Sequence, residues 1–195
     1  MKNILPDISI AEFAAGLRKF PTPAFDSTAT ILEYLTRNPV AADSLAPYLT
    51  WDVQHYTRNL IDRTDLYELL AICWEVGQHS SIHNHRDQHC WMAAPIGQLL
   101  VQNYRVKSAN IDAGKCEIVP TDILEMNPRQ PAAVDPNEPV HKVYNPRELS
   151  QRAVTLHIYS RPFDTCVVYS YEQGTCGEIK LHFHTRYGKP EAAAH

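Results

Sequence analysis

The sequence predicts a mainly β protein, a barrel of the jelly-roll type, preceded by a short helical region. Glycine, proline and asparagine divide the chain beyond residue 54 into many short stretches of strand-like composition, as in sandwiches and barrels. Before residue 50, in contrast, apolar residues recur at helical spacing. A chain of 195 residues is long enough for one domain with a sizeable core. We therefore expect a single domain over residues 1–195, in which residues 1–50 form helices packed on a barrel of residues 54–190.

The N-terminal region contains start and stop signals for short helices. Ser9 with Glu12 forms a capping box for a first helix, and Pro21 stops that helix. Ser27 or Thr28 could cap a second helix, which ends at Asn38-Pro39. Between them, apolar residues three or four positions apart give each helix one apolar face. A third short helix is predicted at residues 41–49. No site chemistry is visible in this region, so we expect it to serve packing.

Strand-like segments fill the rest of the chain. The run 66–74 is almost continuously apolar, as expected of a strand that is buried on both faces. Further strands are predicted at residues 98–106, 116–120, 123–126, 141–144, 153–159, 165–171 and 178–184. The stretch 127–139 contains four prolines and is predicted to be an irregular loop.

Composition and charge argue against several classes of protein. Charged residues make up 21% of the chain, its net charge is −4, and lysine and arginine do not cluster, so we expect no nucleic-acid partner. No apolar run approaches the ~18 residues of a transmembrane helix, and the N terminus lacks a secretory pattern. The five cysteines are odd in number and scattered, which predicts reduced thiols. We therefore expect a cytoplasmic protein without a membrane partner.

The segment 77–97, GQHSSIHNHRDQHCWMAAPIG, places two histidines one residue apart between glycines. Side chains alternate between the two faces of a strand, so His83 and His85 would lie on the same face, close enough to share a metal ion. A helix would not bring residues at that spacing together. The alternative is a polar strand whose histidines are incidental, because histidine is common at partly buried positions.

The surrounding residues resemble the two-part pattern of the cupin superfamily, G-x5-H-x-H-x4-E-x6-G followed by P-x-G-x2-H-x3-N. The matching residues are Gly77, His83, His85 and Gly97, followed by Pro136, His141 and Asn145. Cys90 occupies the place of the glutamate, and Glu138 the place of the second-half glycine. The resemblance therefore implies a cupin β-barrel with three neutral imidazoles, those of His83, His85 and His141, as metal ligands and no anionic protein ligand.

Between residues 56 and 190 the chain resembles one cupin family more closely, the cysteine dioxygenases. The shared words are YTRN at 56–59, SSIHNH at 80–85 followed by His89-Cys90, HKV at 141–143, VTLHIYSRPFDTC at 154–166 and FHTRYGKP at 183–190. Two positions differ: Asn84 replaces an aspartate found in many members, and Arg161 replaces a proline of the animal enzymes. The resemblance implies a monomeric enzyme that uses Fe(II) and dioxygen to convert L-cysteine into cysteine sulfinate.

Three histidines constrain the metal chemistry without choosing the metal. Imidazole suits zinc, copper, iron and nickel, so the choice of Fe(II) rests on the resemblance. Three protein ligands leave the other positions of a six-coordinate ion for substrate and dioxygen. A bound cation deprotonates a coordinating thiol, so a thiol substrate would bind as the thiolate.

Arg58 and Tyr56 are the candidate substrate-binding residues. A guanidinium is permanently charged and matches a carboxylate as a two-pronged donor, so Arg58 could hold the carboxylate of the substrate. Relatives that oxidise 3-mercaptopropionate tend to have glutamine there, so arginine favours an α-amino thiol acid. Tyr56, two residues earlier on the same strand face, could assist through its hydroxyl. A surface salt bridge is the alternative for an isolated arginine.

His157, Tyr159 and Cys90 are the remaining candidates. His157 and Tyr159 alternate in the block TLHIY and would both face inward, where His157 could orient the phenol and the phenol could donate a hydrogen bond over the metal. A buried structural pair of tyrosine and histidine is the alternative. In the animal enzymes that this chain resembles, the residues at the positions of Cys90 and Tyr159 form a thioether cross-link, which Cys90 makes possible here.

Two other functions fit the same residues. One is a dioxygenase of another small thiol with a carboxylate, such as 3-mercaptopropionate or mercaptosuccinate. The other is a non-catalytic cupin that binds a metal and a small ligand. The second is disfavoured because a binding protein would not need Arg58, His157 and Tyr159 around an open metal face.

Overall fold

The computed structural model describes residues 6–134 and 139–191 and consists mainly of β-strands. The strands in these residues are β1 (Thr57–Arg63), β2 (Glu68–Trp74), β3 (Ile82–His83), β4 (His89–Ile96), β5 (Leu99–Asn110), β6 (Lys115–Met126), β7 (Ala132–Ala133), β8 (Val140–Tyr144), β9 (Ala153–Ser160), β10 (Thr165–Ser170), β11 (Thr175–Lys180), β12 (Thr185–Arg186) and β13 (Lys189–Pro190). The predicted mainly β barrel is confirmed.

The strands form two sheets. One has the order β13-β12-β1-β2-β9-β4-β7, and the other has the order β10-β11-β6-β5-β8-β3 and closes on itself where β10 pairs with β3. Neighbouring strands are antiparallel apart from β1 and β12, which run parallel. Closure leaves the second sheet without a free edge.

The helical region precedes both sheets. Helix α1 (Ile10–Leu17) begins with the predicted capping box, in which Ser9 and Glu12 exchange hydrogen bonds between side chains and backbone. Helix α2 (Thr28–Arg37) ends at Asn38, one residue before Pro39, as predicted. The third predicted helix is a 3₁₀ helix, Ala42–Tyr48. Pro47 lies inside it, and proline has no amide hydrogen for the bonding pattern of an α-helix.

Two hydrophobic cores hold these layers together. The inner core lies between the sheets and includes residues of both: Leu60, Leu70, Ile72, Trp74, Met92, Leu99, Val101, Met126, Val143 and Tyr159. The outer core lies between the helices and the first sheet: Phe13, Leu17, Ile31, Leu35, Leu45, Leu69, Ala71, Trp91, Leu156 and Ile158. Alternate residues of β2 and β9 therefore enter different cores, which explains why β2 is buried along its whole length.

Polar contacts join the helical region to the first sheet. The Arg18 guanidinium donates hydrogen bonds to the buried carboxylate of Asp62, which also accepts a 2.6 Å hydrogen bond from the Tyr67 hydroxyl. The indole N–H of Trp91 donates to the backbone carbonyl of Thr28, which is 2.8 Å away. The described helices thus pack on one side of the first sheet.

Three strand predictions need correction. Residues 116–120 and 123–126 belong to one strand, β6, because its long pairing with β5 continues through Pro120 with a shift in register. The strand predicted at 178–184 is β11, which begins earlier and ends at Lys180. The loop predicted at 127–139 contains the two-residue strand β7, which pairs with β4. Pro136 and Glu138 of the cupin pattern lie outside the described residues.

Candidate metal centre and its pocket

His83, His85 and His141 lie together on the inner side of the barrel. His83 on β3 is directly opposite His141 on β8, and their imidazole centroids are 4.9 Å apart. His85 follows β3 and completes the group, although the strand itself ends at His83. One ring nitrogen of each residue lies within 4.8 Å of the others. The fold therefore brings the three histidines to one point.

The environment of these rings suits a metal ion. Both ring nitrogens of His85 and of His141 are buried and have no hydrogen-bond partner in the described part of the chain. His83 donates from Nδ1 to the backbone carbonyl of Ser81, 2.9 Å away, so its Nε2 lone pair is free to bind a metal. Burial lowers the pKa of His85 and of His141 well below the ordinary value. Neutral, converging imidazoles are metal ligands, and a metal would satisfy their otherwise unpaired nitrogens.

A pocket of about 340 Å³ opens beside the three histidines. Its lining includes polar and ring-bearing residues: Tyr56, Arg58, Ser81, His83, His85, Tyr159 and Phe163. Its remaining wall is apolar apart from a thiol: Cys166, Val168, Ile179 and Leu181. The lining combines a guanidinium, a phenol and imidazoles with an apolar wall, which suits a small molecule.

Arg58 supplies a fixed positive charge to this pocket. Its side chain is almost fully buried, and two of its nitrogens, Nε and Nη2, have no hydrogen-bond partner in residues 6–134 and 139–191. The backbone of Arg58 is held by His184, whose Nδ1 accepts from the Arg58 amide and whose own amide donates to the Arg58 carbonyl. A buried guanidinium with unused donors has the charge and geometry to match a carboxylate.

A chain of hydrogen bonds runs along β9 towards the pocket. The indole N–H of Trp74 donates to the hydroxyl oxygen of Thr155, 2.9 Å away. The same oxygen lies 2.9 Å from Nε2 of His157, and Nδ1 of His157 lies 2.9 Å from the hydroxyl of Tyr159. All four side chains are buried.

The donors and acceptors in this series of hydrogen bonds can be assigned. Burial and the positive charge of Arg58 lower the pKa of His157 to about 3, so its imidazole is neutral and has one donor and one acceptor. Within the described residues the Thr155 hydroxyl contacts only Trp74, a donor, and His157. Thr155 therefore donates to Nε2, and His157 donates from Nδ1 to the oxygen of Tyr159. The phenolic hydrogen of Tyr159 is then free to point into the pocket.

Cys90 and Tyr159 are directly opposite each other on β4 and β9, and both side chains face the inner core. Burial raises the pKa of both the Cys90 thiol and the Tyr159 hydroxyl, so both groups are protonated. Arg161 lies just after β9, and its amide donates to the side-chain carbonyl of Gln88. The turn at Arg161 leaves Tyr159 in register with Cys90.

Sequence reasoning missed several residues around the pocket. Thr155 and Trp74 could have been found by extending the alternation of His157 and Tyr159 two residues back and across to β2. Cys166 and Phe163 line the pocket from the segment after β9 and gave no separate signal. Glu68, opposite Tyr159 on β2, is a fully buried carboxylate whose pKa is raised by burial.

Comparisons with known proteins identify the family of this chain. The family model for cysteine dioxygenase type I matches residues 25–172. Cysteine dioxygenase type 1 of Rattus norvegicus is 30% identical over 166 residues, covering 84% of this chain and 78% of that protein. The Homo sapiens protein of the same name is 32% identical over 144 residues, covering 73% of this chain and 70% of that protein.

Solved structures similar to this chain include a cupin superfamily protein from Desulfitobacterium hafniense DCB-2. It is 11% identical, has a TM-score of 0.44, and the match covers 64% of this chain and 92% of that one. No helix among the described residues is long and apolar enough to cross a membrane. On the family model and the relatives of known name, this chain belongs to the cysteine dioxygenase family of oxidoreductases.

Proposed function

We propose that the protein is an Fe(II)-dependent dioxygenase that converts L-cysteine and dioxygen into cysteine sulfinate. The observation that carries the proposal is the meeting of three neutral imidazoles with an unpartnered, buried guanidinium in one small pocket. The imidazoles suit a metal that would hold a thiolate, and the guanidinium suits the carboxylate of the same small molecule. Family membership supports the reaction type.

His83, His85 and His141 would hold the metal, which when bound would supply open coordination positions and a positive charge that favours the thiolate. With no carboxylate in this ligand set, the substrate thiolate would provide the negative charge near the ion. The three imidazoles stay neutral because burial disfavours their protonated forms.

Arg58, Tyr159 and His157 would position the substrate. Arg58 would bind the carboxylate through its unpaired nitrogens, and the apolar wall of Phe163, Val168 and Leu181 would keep water from the reacting thiol. Tyr56 lies at the pocket beside Arg58 and is held by stacking on Trp74, with ring centroids 4.6 Å apart. Tyr159 would donate its free hydrogen into the pocket, and His157 would hold the phenol in that orientation.

Cys90 and Tyr159 are proposed to become joined by a thioether bond during turnover. The thiol loses its hydrogen and a ring carbon next to the phenol oxygen loses another, a carbon–sulfur bond forms, and dioxygen accepts the two electrons and two protons. The direct opposition of the two side chains on β4 and β9 supports this proposal.

A second substrate class is supported by one feature of the pocket. Within the described residues its lining contains Arg58 for a carboxylate but no acidic side chain for the amino group of cysteine. A thiol acid without an amine, such as 3-mercaptopropionate, or one with a second carboxylate, such as mercaptosuccinate, would use the same arginine. We further propose a cytoplasmic monomer, in keeping with five free cysteines.

Oxygen uptake by the iron-loaded protein over a panel of thiols tests the proposed reaction. L-Cysteine should give the highest kcat/KM, with one sulfinate formed for each dioxygen consumed. A higher value for 3-mercaptopropionate or mercaptosuccinate would favour the second substrate class. No uptake with any thiol, by a protein containing bound iron, would make it a non-catalytic metal-binding cupin.

Iron analysis tests the ligand set separately from the reaction. We expect one iron per chain, and replacement of His83, His85 or His141 by alanine should abolish both bound iron and activity. His79→Ala is the matched control, because His79 lies close along the chain but its ring contacts only the neighbouring Ser80 carbonyl in the described structure. Full iron occupancy in His141→Ala would place the metal elsewhere.

A further inference from the structure

Two turns of the closed sheet repeat one local pattern. The turn at residues 111–114 joins β5 to β6, and the turn at residues 171–174 joins β10 to β11. Each ends in a glycine with φ of 64°, Gly114 or Gly174, a left-handed conformation that glycine adopts without strain. Each glycine is followed two residues later by a cysteine, Cys116 or Cys176.

These two turns meet where β6 pairs with β11, which we call the seam. Lys115 is opposite Thr175, the Cys116 amide donates to the Gly174 carbonyl at 2.9 Å, and the Cys176 amide donates to the Gly114 carbonyl at 3.2 Å. The pattern is symmetric about the central pair. Cys116 and Cys176 therefore lie on the same face of the sheet, diagonally across the seam.

The two thiols also make reciprocal contacts. Sγ of Cys116 lies 3.1 Å from the carbonyl oxygen of Thr175, the residue before Cys176. Sγ of Cys176 lies 3.3 Å from the carbonyl oxygen of Lys115, the residue before Cys116. Each sulfur thus rests against the peptide group that leads into the other cysteine. Burial and, after it, the neighbouring Cys176 thiol raise the pKa of the Cys116 thiol.

In the described part of the chain, the seam is one of two junctions of the closed sheet with a single pair of directly opposite residues, the other being that between β3 and β8. At the seam that pair is Lys115 and Thr175, whereas β10 and β11 pair along six residues each. A covalent bond here would reinforce a junction that few backbone hydrogen bonds hold. The bond would also close a long loop of chain, the case in which a cross-link restricts the unfolded state most.

We propose that Cys116 and Cys176 are a modification site, a thiol pair that forms a reversible disulfide by exchange with a small-molecule disulfide. Sγ of Cys116 loses its proton and attacks one sulfur of the small disulfide, which leaves as a thiolate and takes up that proton. Sγ of Cys176 then loses its proton and attacks the sulfur of Cys116, releasing the second small thiol. Two protein thiols are oxidised, and one small disulfide is reduced to two thiols.

The solvent exposure of the two thiols determines which of them reacts first. Cys116 is partly exposed and lines an open surface concavity with Asn110, Lys115 and Glu117. Cys176 is buried, so a small disulfide reaches Cys116 first and Cys176 completes the exchange. The three other cysteines, Cys73, Cys90 and Cys166, are buried. The pair lies at the start of β6 and β11, just after the two turns, and the proposal is independent of the reaction proposed for the metal pocket.

Intact mass spectrometry of the full-length protein after treatment with oxidised glutathione tests the proposal. The mass should fall by about two daltons, for two lost hydrogens, and return after dithiothreitol. Peptide mapping should link the peptides containing Cys116 and Cys176. The thioether proposed for Cys90 and Tyr159 has the same mass deficit, but dithiothreitol does not reverse it.

Two variants separate the proposed exchange from other oxidation. Cys176→Ser should stop at the first step and retain one glutathionyl group on Cys116, whereas Cys116→Ser should remain unmodified. In the native protein the oxidised form should melt roughly 5 °C or more above the reduced form. Stable addition of glutathione to the native protein without the reversible two-hydrogen loss would overturn the proposal. Persistence of that loss in the Cys116→Ser/Cys176→Ser variant would overturn it equally.

Discussion

The buried positive charge of Arg58 needs an anionic partner. A buried guanidinium with two nitrogens unpaired in the described residues is costly unless an anion completes its hydrogen bonds. The carboxylate of the substrate would do so, which makes the same residue a source of both affinity and orientation. The protein thus holds a charge whose partner is expected to arrive with the substrate.

Replacing Arg58 by glutamine tests this role. The fork-shaped contact to a desolvated carboxylate is worth about 3 kcal/mol, so kcat/KM for L-cysteine should fall by about 100-fold. Relative preference should shift towards thiols without the amine. Arg58→Lys keeps the charge but not the two-pronged geometry, so its kcat/KM for L-cysteine should lie between those of the native protein and Arg58→Gln. Unchanged cysteine kinetics in Arg58→Gln would mean that the carboxylate binds another group.

Cys90 and Tyr159 form a second residue pair with a measurable consequence. After many turnovers with iron, L-cysteine and dioxygen, intact protein should show a mixed population with a deficit of about two daltons that survives dithiothreitol. The modified chain should also run faster on a denaturing gel. Both signals should be absent in Cys90→Ala and in Tyr159→Phe. An unmodified mass throughout would leave Cys90 as a packing residue of the inner core.

Strand β9 carries three hydrogen-bonded side chains, those of Thr155, His157 and Tyr159, on a single face. Thr155→Val removes the hydroxyl and keeps the shape, so His157 loses the donor that fixes its tautomer and the Trp74 N–H loses its partner. We expect kcat to fall about tenfold with a smaller change in KM, and stability to fall by about 1–3 kcal/mol.

The control for this variant is Thr155→Ser, which keeps the hydroxyl and should retain near-native kcat and stability. Chemical unfolding and steady-state kinetics on both variants separate the two effects. Equal kcat in Thr155→Val and Thr155→Ser would show that the hydroxyl does not orient His157.

Helices α1 and α2 depend on close packing at Gly16. A Cβ added at Gly16 would lie 2.0 Å from the Tyr34 hydroxyl, which donates a 2.8 Å hydrogen bond to the Phe13 carbonyl. The Tyr34 ring cannot easily move because it packs against Phe13 and Phe20, with centroids 5.0 Å and 5.2 Å away. Overpacking and the lost hydrogen bond outweigh the gain of ~1 kcal/mol in helix propensity.

Gly16→Ala should therefore lower the free energy of unfolding by about 1–2 kcal/mol, measured by urea denaturation. Gly177→Ala is the matched control, because within the described residues no atom beyond its chain neighbours lies within 4 Å of its added Cβ. Tyr34→Phe introduced together with Gly16→Ala should recover part of the loss by removing the clashing oxygen. An unchanged or increased stability in Gly16→Ala would show that the helices separate at little cost.

Buried neutral histidines make the free energy of unfolding of the protein depend on pH. The pKa of His157 is lowered to about 3 in the folded chain, whereas the unfolded chain binds a proton near pH 6.5. Between these values the unfolded state holds more protons, so stability is complete above pH 6.5 and declines as the pH falls. His157 alone should cost the metal-free protein about 2 kcal/mol between pH 6.5 and pH 5.

Urea unfolding of the metal-free protein at pH 7.5, 6.5, 6 and 5 measures this dependence. His157→Gln, which cannot titrate, should show a shallower decline than the native chain, and iron binding should raise stability most at neutral pH. An equally steep decline in His157→Gln would assign the acid sensitivity to other groups.

The strand-rich architecture, the capping box of α1 and the nearness of His83 to His85 could be predicted from the sequence alone. Capping boxes, prolines and alternating side chains are local signals, because neighbouring residues alone satisfy or break their hydrogen bonds and apolar faces. Ser9 with Glu12, the uninterrupted apolar run of β2 and the H-x-H pair are of this kind. The same local character explains why the boundaries of β6 and β11 could not be placed, since they depend on the partner strand.

Contacts between residues that are distant in the sequence are set by the tertiary structure. His141 joins His83 because β3 pairs with β8, Cys90 faces Tyr159 because β4 pairs with β9, and Cys116 reaches Cys176 because two hairpin turns meet at the seam. The tautomer of His157 likewise follows from Trp74, a residue on another strand. Such contacts are set by strand register and barrel closure, which arise from the packing of the whole chain and not from any short stretch of it.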